Sequence, residues 1–196
     1  MSGIHEFANE VIAKAGALGG HPEADRELLQ SVRDVTLEWA PGLTEVYAAA
    51  LNQDPLTAAV LAELAPEDDL SRIERWLDRI LAGGAGPALW ADSCLIGYAH
   101  AAAGSTIAHS ACVSRLLDEH LLSRCVEGFG PDRSLYVYVA LKRVLSLTQA
   151  LIAEAYLEAF ATGMRDTGVN DKLADRIRGT AGRKLLQEGR QTLGGA

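Results

Sequence analysis

His100 is the side chain in this sequence with the clearest chemical potential. It stands in Leu95-Ile96-Gly97-Tyr98-Ala99-His100-Ala101-Ala102-Ala103-Gly104, an apolar helical run of small residues with no carboxylate or cysteine close enough to complete a protein-only metal site. A solitary neutral imidazole supplies one ligand, so it suits a metal whose other ligands arrive with a prosthetic group. The small neighbours would let a flat group approach the helix closely. His109 and Cys112 make a weaker pair on a following helix, and a plain helix-face histidine is the simpler reading of His109. Other chemistries find no support: there is no Gly-x-Ser-x-Gly, no phosphate loop and no Cys/His arrangement beyond chance. Asp68-Asp69 reads as acidic charge in a helix's first turn rather than as a catalytic dyad.

The run around His100 resembles the Ile-Gly-x-x-His-x-x-x-Gly segment of the protoglobin and globin-coupled sensor family. The likeness continues upstream through Leu81-Ala82-Gly83 and through Leu43-Thr44-Glu45-Val46-Tyr47-Ala48-Ala49-Ala50-Leu51, which is similar to the family's Val-x-x-Phe-Tyr-x-x-Leu helix. Downstream, Ala150-Leu151-Ile152-Ala153-Glu154-Ala155-Tyr156-Leu157-Glu158-Ala159-Phe160 resembles its last globin helix, so the resemblance covers residues 25 to 162. It implies a single-domain sensor globin that binds a diatomic gas (O2, CO or NO) at haem iron, with His100 as the proximal metal ligand. Tyr47, at the expected separation from His100, would be the distal hydrogen-bond donor. Ile73, Leu77, Leu95, Ile96 and Ile107 would complete the cofactor-binding set. The resemblance also implies a homodimer formed through the last two globin helices.

Three departures from the family pattern bear on the pocket. Val46 replaces the usual Phe before the tyrosine. Ile107-Ala108-His109-Ser110 stands where the family carries a Pro and a Trp-Tyr pair, which should enlarge or soften that side. Asp69 and Arg72 fall where some relatives have Leu and Thr. A charged pair over an iron would need costly desolvation, so a local rotation presenting Ile73 and Leu77 inward is expected. Arg72, Arg75 and Arg79 could then meet haem propionates through charge-assisted bonds, with solvated surface arginines as the default reading.

The elements that must position these residues are helical, punctuated by Gly and Pro. Helices are predicted over about 4 to 15, from Pro22 to Trp39, from Pro41 through Tyr47, from an Asp54 N-cap to Leu64, and from Pro66 to residue 82. The His100 helix runs from Ala88 to Ala103. Gly104-Ser105 caps a further helix to Glu127, and the last long helix ends at Ala161. Leu135-Tyr136-Val137-Tyr138-Val139 alternates like a strand but is read as helix, since no Gly or Pro interrupts the apolar pattern up to Phe160. The fold class is therefore all-α: a globin-like helical sandwich with an extra N-terminal helix and a helical C-terminal tail. The organisation is 1–20 as N-terminal extension helix, 21–162 as globin domain and 163–196 as tail, helical over Lys172 to Leu186.

The last long helix holds Leu135, Val137, Val139, Leu141, Val144, Leu145, Leu147, Leu151, Ile152 and Tyr156, more apolar positions than one buried stripe needs. A second buried face predicts self-association, with Leu116, Leu117, Leu121 and Leu122 supplying its other half. A net charge of −8 argues against nucleic acid and anionic membranes as partners. Cys94, Cys112 and Cys125 follow no Cys-x-x-Cys spacing, which fits a reducing cytoplasm, and without a Cys-x-x-Cys-His signature any haem is non-covalent haem b. Neither a signal peptide nor a membrane span is expected. Two alternatives remain open: a haem-dependent enzyme of peroxide, nitrogen-oxide or small-molecule oxidation chemistry, and a haem-free globin-like signalling module. A sensing role would call for a separate signalling partner.

Overall fold

The computed structural model describes residues 3–19, 25–64 and 71–194. Its helices are α1 (Ile4–Gly19), α2 (Arg26–Leu37), α3 (Ala40–Gln53), α4 (Pro55–Leu64), α5 (Ser71–Leu81), α6 (Pro87–Ala102), α7 (Ile107–Gly128), α8 (Pro131–Asp166) and α9 (Asp171–Gly194). No strand occurs among the described residues. The alternating stretch from Leu135 to Val139 is helical, as expected, because it lies within α8.

Chain contacts divide the protein into two compact units, Met1–Tyr156 and Leu157–Ala196. In the first, α6 is the hub: α1, α4 and α5 all pack on it, while α3 contacts α4, α5 and α7. Helix α2 buries Leu29, Val32 and Thr36 at helical spacing. The Thr36 hydroxyl donates to the Leu81 carbonyl at 2.6 Å, which ties the end of α2 to the end of α5. Gly83 makes that junction possible. It sits at φ +64°, a left-handed conformation, and a Cβ there would lie 2.5 Å from the Leu29 Cβ. Trp76 on α5 donates to the Ser93 hydroxyl of α6 at 3.1 Å, and Ser93 in turn donates to the Leu89 carbonyl.

Several predicted boundaries move. Gly104-Ser105 does not cap α7: Gly104 takes φ +67° and Ser105 N–H returns to the His100 carbonyl at 3.0 Å, so both residues close α6. Thr106 is the N-cap of α7, its side chain accepting from His109 N–H. Helix α8 continues past Ala161 to Asp166. The predicted starts at Pro22 and Pro66 lie outside the described residues.

By length and composition α8 is apolar enough to cross a membrane, yet half of that window is buried in the protein. Val137, Leu141, Val144, Leu145, Leu147, Leu151 and Ile152 are all buried, so α8 has the profile of a core helix. In the second unit, Arg165 pairs with Glu158 and Asp171. Asn170 caps the first turn of α9 by accepting from Leu173 N–H at 2.9 Å. Beyond Ala174 almost every described residue of α9 is exposed.

Candidate functional site

Helix α6 starts at Pro87, whose fixed φ and missing N–H suit the first helical position. It buries Leu89, Trp90, Ser93, Cys94, Ile96, Gly97, Ala99 and His100. Gly97 is where α8 crosses: a Cβ there would stand 2.4 Å from the Ile152 carbonyl oxygen and 2.8 Å from the Ala155 Cβ. The glycine therefore brings the two backbones into direct contact, one turn before His100.

His100 is 4% exposed, and its Nδ1 is buried without a hydrogen-bond partner. Burial, with His109 nearby as a lesser cause, pulls its pKa down to about 4, so the ring is neutral at physiological pH. A buried polar atom left unpaired costs about 1–3 kcal/mol, a cost that a ligand at the ring would offset. The unfolded imidazole takes up its proton near pH 6.5 and the folded one only near 4, so stability is lost as pH falls through this window. The metal-free chain is expected to melt progressively lower between pH 6.5 and 4, and His100→Gln to remove that part of the acid dependence in parallel thermal melts.

Beside His100 lies a cluster that sequence reasoning did not assemble. Asp54 caps α4, accepting from Thr57 N–H at 3.1 Å and from the Thr57 hydroxyl at 2.7 Å. His109 Nε2 lies 3.0 Å from the same carboxylate oxygen and makes a short contact with the Thr57 hydroxyl. The hydroxyl of Thr57 is the chief cause holding the Asp54 carboxyl below its usual pKa. The His109 ring meets the His100 ring edge to face, with centroids 6.2 Å apart. The capping role of Asp54 was readable from the sequence. Its link to His109 was not, since tertiary packing alone joins residues that far apart.

The other predicted residues fall as follows. Leu77 and Ile96 are buried in the core, and Leu95 and Tyr47 are partly buried against it. Desolvation raises the Tyr47 phenol to about 12, so it keeps its proton. Ile107 opens α7 and is half-buried. Asp69 lies outside the described residues, as do the side chains of Arg72 and Ile73. Arg79 is committed to an ion pair with Asp92 of α6. Cys112 is exposed, and no group of three or more His, Cys, Asp or Glu among the described residues is arranged to hold a metal. The His109–Cys112 pair therefore gains no support. A buried, neutral imidazole with an unpaired ring nitrogen fits a haem iron, which needs one protein ligand and brings the remainder.

No family model matches the chain, and no curated protein matches it. Among solved structures, the globin domain of a Geobacter sulfurreducens globin-coupled sensor is similar to it, with a TM-score of 0.60 and 21% identity. The match covers 76% of this chain and 96% of that one. At this identity the likeness shows the fold: an all-α, globin-like architecture.

Proposed function

We propose that this protein is a haem b-binding sensor-type globin that binds a diatomic gas reversibly, with His100 as the proximal ligand. The observation that carries the reading is His100 itself, buried and neutral, with Nδ1 unpaired, on the central helix of a globin-like fold. When bound, the haem supplies an iron with an open coordination position for O2, CO or NO. The chain's own residues do the rest. His100 offers an uncharged imidazole, Leu77 and Ile96 keep the interior dry, and Tyr47 holds a phenolic proton to donate to a polar ligand atom. Residues 21–162 would be the haem-binding domain, residues 1–20 its N-terminal extension and residues 163–196 a helical tail.

Haemin titration of the purified chain tests this directly. A saturating Soret band that shifts on reduction and again with carbon monoxide is expected, and a folded protein that stays colourless rejects the reading. Tyr47→Phe removes one hydrogen bond to a partly charged acceptor. It is expected to speed gas release about 10- to 150-fold by stopped flow, the equivalent of ~1.5–3 kcal/mol for such a bond.

A second reading, a haem-free globin-like interaction module, is favoured by one observation. Helix α4 packs on α6 and anchors His109 through Asp54 and Thr57, and His109 already occupies one side of the His100 ring. The same titration separates the two. Self-association through α7 and α8 belongs to the proposal as well, because Leu122, Val126, Leu135, Tyr136 and Val139 remain exposed there. Cytoplasmic location and a separate signalling partner complete the reading.

A further inference from the structure

Helix α9 carries an unpaired basic stripe. Lys172, Arg176, Arg183 and Arg190 fall within an arc of about 40° at 100° per residue. All four are exposed and none has an ion pair among the described residues, whereas Arg178 and Lys184, off the stripe, are paired with Asp175 and Glu188. The second unit is net basic, although the whole chain carries −8. The first unit is therefore strongly acidic.

On that first unit, α2 presents the complement. Leu29, Val32 and Thr36 face the core, and on the opposite side Glu27, Asp34 and Glu38, at the C-cap, share an arc of about 40°. These three are exposed and likewise unpaired among the described residues, while Arg26 and Arg33 lie well off the stripe. Arg133 reaches the neighbouring Ser31 hydroxyl but not the carboxylates. The spacings correspond. Laid antiparallel, Glu38 meets Lys172, Asp34 meets Arg176 and Glu27 meets Arg183, and Ser31 falls opposite Gly179, so two small residues let the helices approach.

We infer that the basic stripe of α9 docks antiparallel on the acidic stripe of α2 in a second copy of this chain. The two stripes match in charge and in register, and each is solvent-facing in the single chain. Exposed ion pairs are individually weak. A two-fold arrangement repeats the contact and doubles the number of pairs. This inference stands independently of whether haem binds.

Site-directed cross-linking of the full chain tests it. Ser31→Cys and Gly179→Cys variants, each with the exposed Cys112 changed to Ser, are co-expressed and oxidised. At Gly179 an added Cβ meets only the Arg183 guanidinium, at 3.4 Å, so the substitution is tolerated. A disulfide-linked pair containing one chain of each kind is expected, at least about tenfold above an Ala181→Cys control, at an exposed position about 160° round the helix from Gly179. Charge reversal as Lys172→Glu, Arg176→Glu and Arg183→Glu should abolish the product, and Glu27→Lys, Asp34→Lys and Glu38→Lys on the other chain should restore it. No linked pair above the control, no restoration by the charge swap, or cross-linking within one chain carrying both cysteines would each overturn the inference.

Discussion

Replacing His100 by Ala is expected to lower haem affinity by more than about 100-fold and to abolish the Soret band at micromolar haemin. Loss of a residue that merely orients a metal ligand costs 10–100-fold, so loss of the ligand itself should exceed that. The effect is separable from unfolding. The substitution leaves a cavity, but it also removes a buried Nδ1 that has no hydrogen-bond partner, and these terms oppose each other. Far-UV circular dichroism and thermal melts of the metal-free protein should therefore change little. His100→Gly with imidazole added to the buffer should recover a haem spectrum, because the free base can enter the space left by the side chain. A His100→Ala protein with the wild-type spectrum would mean that another residue holds the iron.

Much of this arrangement was legible in the sequence because local chemistry and global fold agree. Glycine and proline punctuation located the helix order, and Leu77, expected to face inward, is buried on α5. Where the sequence misled, the cause is specific. Gly104-Ser105 looked like an N-cap, but a glycine in the left-handed region more often ends a helix than starts one, and here it closes α6. The apolar excess of α8 serves two surfaces: Val144, Leu145, Leu147, Leu151 and Ile152 are buried within the single chain, while Leu135, Tyr136, Val139, Leu157 and Phe160 stay exposed. The Asp54–Thr57–His109 cluster was beyond reach, since each residue has an ordinary local explanation and only packing brings α4 onto the start of α7.

Gly97→Val is expected to destabilise the protein by at least about 3 kcal/mol, the upper end for overpacking a core. For a chain of this size that corresponds to a fall in Tm of about 6–12 °C. The new side chain would run into backbone. Its Cβ would lie 2.4 Å from the Ile152 carbonyl and 3.1 Å from the Tyr156 amide nitrogen, both backbone atoms that no rotamer change can move aside. Relief requires α6 and α8 to separate, and His100 lies one turn further along α6. The same variant should thus weaken haem binding, although residue 97 itself contributes no ligand. Gly163→Ala on α8 is the control: an added Cβ there meets nothing within 4 Å, and alanine is the better helix former by up to about 1 kcal/mol. It should melt at or above the wild-type temperature. Equal melting of the Gly97→Val protein and the wild type would show that the α6–α8 contact yields without cost, and the placement of His100 would then need another cause.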